Sequence, residues 1–135
     1  MNARFLDTGY VLALELSNDG NHRPAQDHWQ QAADNLPRLI TTSYVFSEVV
    51  TFFNSRRRHD KAVAVGEMLL TSPSVELVPV DEALFREGWD QFCRHADKTY
   101  SLTDCISFVV MRRRGIDTAF AFDRHFEQAG FRKEP

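Results

Sequence analysis

The sequence predicts an α/β domain with a parallel sheet, and three observations carry that prediction. Short apolar runs alternate with stretches of helical period, the pattern of successive βαβ units. Breaker residues such as Pro37, Pro73, Gly115 and Gly130 fall at the joints between these segments. The 135 residues, 43% of them hydrophobic and including 11 Phe and 2 Trp, suit one compact core. No internal repeat or low-complexity segment divides the chain, so residues 1–135 are read as a single domain.

Each element follows from local chemistry. Ala3–Asp7 is an apolar first strand ending in an acid, with a short helix around Tyr10–Leu14 behind it. The polar run Ser17–Asn21 is a loop. His22–Asn35 is a helix with Pro24 in its first turn, where a missing N–H is harmless. Pro37 ends that helix and Arg38–Thr42 forms the second strand. From Ser43 to about Arg58, Val45, Val49, Phe52 and Phe53 share one helical face. A further helix covers about Asp60–Leu70, then Thr71–Ser74 is a loop. Val75–Val80 is the third strand, near an edge because Pro79 cannot donate to a ladder.

Asp81 caps a helix reaching about His95. The next helix begins near Ser101, where Ser101 and Asp104 form a capping-box variant, and ends at Gly115 as a left-handed cap. Thr118–Phe122 is the fourth strand and Arg124–Ala129 a short helix. Beyond Gly130, Phe131–Lys133 is a last edge strand.

Charge and composition exclude several classes. A formal charge of −3 and a pI near 5.9 do not describe a strongly basic, non-specific nucleic-acid binder. The count changes meaning if several of the 19 acids surround a metal ion. Asp7 interrupts the first apolar run, so no signal peptide is expected, and no stretch approaches the ~18 apolar residues of a membrane helix. Cys93 and Cys105 belong to no spaced Cys/His set and are expected to be reduced, in a cytoplasmic setting.

Four acids stand out: Asp7, Glu48, Asp104 and Asp123. Each lies where a strand ends or on the flank of a helix, against residues expected to be buried. A lone buried carboxylate is expensive, whereas one divalent cation would account for all four. Asp7 and Asp123 follow strands, at the sheet edge where α/β folds bind ligands. Glu48 lies beside Val45 and Phe52 on its helical wheel, and Asp104 is in a first helical turn. Separations of 41, 56 and 19 residues mean that only the fold can join them. Each also has a purely structural reading: helix caps for Asp7, Asp104 and Asp123, and a snorkelling or salt-bridged acid for Glu48.

Four segments carry a resemblance. Phe5-Leu6-Asp7-Thr8, Thr42 through Glu48, Tyr100 through Cys105 and Ala121 through Phe126 resemble, in order, the four acidic motifs of PIN-domain proteins. The group they are most similar to is the VapC-like toxins of type II toxin–antitoxin systems, and the resemblance spans nearly the whole chain. It implies a three-layer α/β/α fold with a parallel sheet of about five strands. It implies Mg2+- or Mn2+-dependent cleavage of RNA phosphodiesters, with Asp7, Glu48, Asp104 and Asp123 as the metal-binding and catalytic acids. Thr8 stands where the family often has a hydroxyl that orients the site, and Ser101 supports Asp104. Many relatives carry Ser or Thr two residues before the fourth acid, where this chain has Ala121. A homodimer and an antitoxin partner follow as expectations, with an apolar patch between Ser43 and Leu70 available to either.

Crowded carboxylates repel one another, so at least one is expected to have a raised pKa without metal. Arg124, beside Asp123, and Arg112, in the run Arg112–Arg114, are the candidates for the RNA backbone; Arg56–Arg58 is a second basic run. The five histidines, His125 among them, are read as surface or packing residues. Trp29, Trp89, Phe46, Phe52, Phe53 and Phe92 are read as core or interface aromatics. Two other functions compete. One is a PIN-like module that binds RNA or a partner without cutting, against which the full set of acids argues. The other is phosphotransfer on Asp7, against which Gly9 stands where such sites carry a second Asp.

Overall fold

The structure, a computed structural model, describes residues 3–135. The chain opens with β1 (Ala3–Leu6), α1 (Thr8–Glu15) and α2 (His22–Ala33). Next come β2 (Arg38–Thr42), α3 (Ser43–Ser55), α4 (His59–Thr71) and β3 (Val75–Val78). The second half holds α5 (Glu82–Arg94), α6 (Leu102–Arg114), β4 (Thr118–Phe120), α7 (His125–Gln128) and β5 (Arg132–Glu134). Every expected element is present, and the differences lie at the ends. The third strand stops at Val78 rather than Val80 because Pro79 has no N–H to offer. The Val80 N–H turns instead to Ser43 Oγ at 2.9 Å. The fourth strand is shorter than expected by two residues, Ala121 and Phe122. The first helix starts earlier, at Thr8.

Side chains set several helix starts. The Thr42 hydroxyl accepts from the Val45 N–H at 3.2 Å and begins α3. Asp81 Oδ1 accepts from the Leu84 N–H at 2.8 Å and begins α5. At the far end of α6, Gly115 takes φ +66°, the left-handed cap that a residue with a Cβ adopts at a cost.

The five strands form one all-parallel sheet in the order β3-β2-β1-β4-β5, the centre of a three-layer α/β/α arrangement. β1 is central. The chain winds outward through β2 and β3 on one side, then returns to place β4 and β5 on the other. The connections that follow β1 and β4 therefore lead to opposite sides of the sheet, so these paired strands form a topological switch point. As expected, β3 and the last strand are the edges. Both faces of the central strands are covered, so Phe5, Leu39, Ile40, Ala119 and Phe120 are all buried.

α6 is buried along most of its length, from Thr103 through Met111. It packs closely on α5. A Cβ at Gly88 would clash with the Ile106 side chain and lie 3.3 Å from its Cα, so the two helices meet where only glycine fits. Phe53 is in the core, and Trp29, Phe46 and Phe52 pack against it. Trp89 and Phe92 do not: they stack on each other in solvent, 51% and 39% exposed, which removes the core reading for these two. Cys93 is exposed, Cys105 is buried, and both are free thiols. Among the described residues no helix is long and apolar enough to cross a membrane.

Candidate active site

The carboxyl ends of β1 and β4 lie side by side, with Leu6 in register with Phe120. Asp7 follows β1 directly, and its N–H donates to the Phe120 carbonyl at 3.1 Å. On the other flank, the buried Thr41 hydroxyl donates to the Leu6 carbonyl at 2.8 Å. The backbone around Asp7 is thus held from both neighbouring strands. Its side chain is buried and does not cap α1. The capping explanation for Asp7 fails at that point.

Burial, first, pushes the Asp7 carboxyl up from 3.8 to about 7, and the negative charge of Asp104 pushes next. A hydrogen bond from the Thr8 N–H opposes the rise, while Asp123 and Glu48 add to it. All three other acids therefore act on Asp7, as a shared pocket requires. Glu48 is solvent-exposed on α3, but its Oε1 accepts from the Thr8 hydroxyl at 2.7 Å, which ties it to the residue after Asp7.

Asp104 combines two of the expected roles. Its N–H donates to Ser101 Oγ at 3.0 Å, and its Oδ2 accepts from the Ser101 N–H at 3.0 Å, a complete capping box. The same Oδ2 lies 2.9 Å from His125 Nδ1. Asp123 is exposed just past β4. Its Oδ1 accepts from the His125 backbone N–H at 2.9 Å, and its Oδ2 lies 3.3 Å from His125 Nδ1.

His125 is the residue that sequence reasoning missed. Read as a surface or packing histidine, it sits between two of the acids. Its other nitrogen, Nε2, lies 3.0 Å from the Thr99 hydroxyl, and its ring meets Tyr100 edge-on. Asp104, Asp123 and His125 bring three potential ligand atoms within 4.8 Å of one another. The signal available in the sequence was its place two residues after Asp123, on the same turn.

The arginine candidates separate. Arg124 is exposed beside Asp123; its carbonyl accepts from the Gln128 N–H at 3.0 Å, and its side chain has no hydrogen bond or ion pair among the described residues. Arg112 donates to the Ala129 carbonyl at 3.3 Å and lies over the Phe131 ring, so it braces the turn into β5. Its neighbours are engaged too, Arg113 with Glu87 and Arg114 with Glu76. In the other run, Arg56 covers the Phe52 ring and Arg58 pairs with Asp60.

The donor set fits a hard divalent cation. It consists of carboxylate oxygens, two of them on largely buried side chains, Asp7 and Asp104. Burial and mutual repulsion hold Asp7 in a state that a positive ion would relieve.

Comparison with known proteins agrees with this geometry. The sequence profile described as PIN domain matches residues 4–132. The chain is 38% identical over 128 residues to proteins named "23S rRNA-specific endonuclease VapC20" from two strains of Mycobacterium tuberculosis, covering 94% of each chain. It also matches the crystal structure of Mycobacterium tuberculosis VapC20, titled a sarcin–ricin loop cleaving toxin. That match has a TM-score of 0.84 at 35% identity and covers 94% of this chain and 95% of that one. Fold, ordered acidic motifs and relatives lead to one conclusion: the chain belongs to the PIN domain family.

Proposed function

We propose that this protein is a metal-dependent endoribonuclease, the toxin of a type II toxin–antitoxin pair, organised as a single PIN domain. The observation that carries the reading is the gathering of four acids around a buried Asp7 whose carboxyl is raised to about 7. Relatives named as 23S rRNA endonucleases, 38% identical over 94% of the chain, support the same reaction class and make ribosomal RNA the first substrate to test.

Asp7, Asp104 and Asp123 would hold Mg2+ or Mn2+, with Glu48 beside them. When bound, such an ion lowers the pKa of a water and stabilises charge on the phosphate and the leaving oxygen. Glu48 directs the attacking water: Thr8 occupies its Oε1 at 2.7 Å, and Oε2 is left for a water proton. Ser101 fixes the rotamer of Asp104 through the capping box. Arg124 faces solvent beside the acids and suits a phosphate oxygen. Arg112, bonded to a backbone carbonyl, serves the RNA only if it leaves that contact.

An antitoxin segment or a second copy of the chain needs an apolar face. The groove between α3 and α4, lined by Phe46, Val50, Gly66 and Leu70, offers one, with Val63 and Leu70 49% and 58% exposed. It coincides with the patch expected between Ser43 and Leu70.

The test is incubation with total RNA and Mn2+, wild type against Asp104→Asn, with the cleavage ends mapped. Discrete ends from wild type alone are expected. A chain that gives no ends, and that Mn2+ does not stabilise in thermal melts, would instead be a binding module without a metal site.

A further inference from the structure

We propose that His125 is a positioning residue: it sets the carboxylates of Asp104 and Asp123 toward the divalent cation and is not itself a ligand. The inference rests on the metal-dependent reading above and assigns a role within that site.

Four contacts support it. His125 Nδ1 faces two carboxylate oxygens, Asp104 Oδ2 at 2.9 Å and Asp123 Oδ2 at 3.3 Å. A bare lone pair there would be repelled by both, so Nδ1 carries a proton. Nε2 lies 3.0 Å from the Thr99 hydroxyl, a group that can accept or donate, so a proton on Nδ1 leaves every polar contact of the ring satisfied. The backbone N–H of the same residue holds Asp123 Oδ1 at 2.9 Å. One residue thus grips Asp123 through both oxygens and Asp104 through one.

The grip on Asp104 has a direction. Its Oδ2 already accepts from the Ser101 N–H at 3.0 Å and now also from His125 at 2.9 Å. Two donors on Oδ2 leave Oδ1 as the oxygen for a cation. Tyr100, buried and edge-on to the imidazole, limits its rotation. As a ligand, Nδ1 would have to give up its proton and both carboxylate contacts, for a hard ion that prefers oxygen. Partners that orient metal ligands by hydrogen bonds typically account for about 10–100-fold in metal affinity.

The experiment compares wild type, His125→Ala and His125→Asn. Mn2+ affinity is measured by calorimetry, folding by circular dichroism, and cleavage on RNA. Asn places an amide N–H near the position of Nδ1. The expected result is an affinity loss of about tenfold or more in the Ala variant, with affinity and cleavage restored to within about threefold in Asn. A second readout is long-range 1H–15N spectroscopy of the histidine rings during Mg2+ titration, where His125 Nδ1 should remain protonated. Wild-type affinity in a folded Ala variant would overturn the proposal. So would loss of the Nδ1 proton on Mg2+ addition, which would make His125 a ligand. Absence of Mn2+ binding by wild type would instead overturn the nuclease reading itself.

Discussion

Two carboxylates on the sheet, Asp7 and Glu76, have been driven in opposite directions. Asp7, at the end of the central strand, is raised to about 7 by burial and then by neighbouring acids. Glu76, on the edge strand β3, is lowered to about 2, chiefly by hydrogen bonds from Arg114 and then Arg38. Arg114 Nη2 reaches Glu76 Oε2 at 2.7 Å, and Arg38 Nη2 reaches Oε1 at 2.8 Å, so α6 and β2 both clasp β3. At the edge the chain supplies its own cations. At the centre it supplies a histidine and more acids. On the proposed function, the difference is that between a structural ion cluster and a site for a cation.

The sharpest way to break this contrast is to remove each acid in turn. Asp7→Asn is expected to lower RNA cleavage about a thousandfold, because several kcal/mol of charge stabilisation go with the cation site. Glu76→Gln should leave the cleavage rate unchanged. Equal activity of wild type and Asp7→Asn in a gel-based cleavage assay would remove the distinction.

Stability should respond the other way. A folded-state pKa raised from 3.8 to about 7 favours folding fully below pH 3.8, and the benefit is lost as pH rises through about 7. Without metal, Asp7→Asn is therefore expected to be more stable than wild type at pH 8, by on the order of 2–4 kcal/mol. The gain should shrink toward pH 4. Denaturant melts in chelator at both pH values measure it.

Glu76 carries the opposite sign. Its lowered pKa gives stability that is present above 4.5 and is lost as pH falls toward about 2. Glu76→Gln should destabilise the protein by about 1–2 kcal/mol at pH 7, a value discounted because the side chain is 30% exposed. The difference from wild type should narrow in melts near pH 3. The smallest effects concern two arginines, one free of ion pairs among the described residues and one bound to Glu76. Arg124→Gln should weaken RNA binding a few-fold and reduce the salt slope by about one ion, with an unchanged Tm. Arg114→Gln should lower Tm with little effect on RNA binding. The reverse pattern would mean that the two regions had been assigned the wrong way round.

Much of the fold was legible because its signals are local. Pro79 and Gly115 end elements where the chemistry of each residue requires, and Asp81 and Ser101 cap the helices they precede. The acids were visible by a different route, as carboxylates placed against apolar neighbours. His125 was not visible, because nothing in its surroundings distinguishes a histidine facing solvent from one facing Asp104, 21 residues away in sequence. The Arg112–Arg114 run is ambiguous in sequence for the same reason. As a string it is a basic patch, and in the fold its members are bound to Ala129, Glu87 and Glu76.

By itself the sequence determined the order of strands and helices, their caps and breaks, and which faces are apolar. These depend on contacts within a few residues and on the periods of helix and strand. The tertiary structure alone decided the sheet order, the meeting of the four acids, the place of His125 between two of them and the clasp on Glu76. Such contacts join residues distant in sequence, 21 apart for His125–Asp104, 38 for Arg114–Glu76 and 40 for Thr8–Glu48. Local propensity carries no information about partners at that range; the packing of helices on a parallel sheet does.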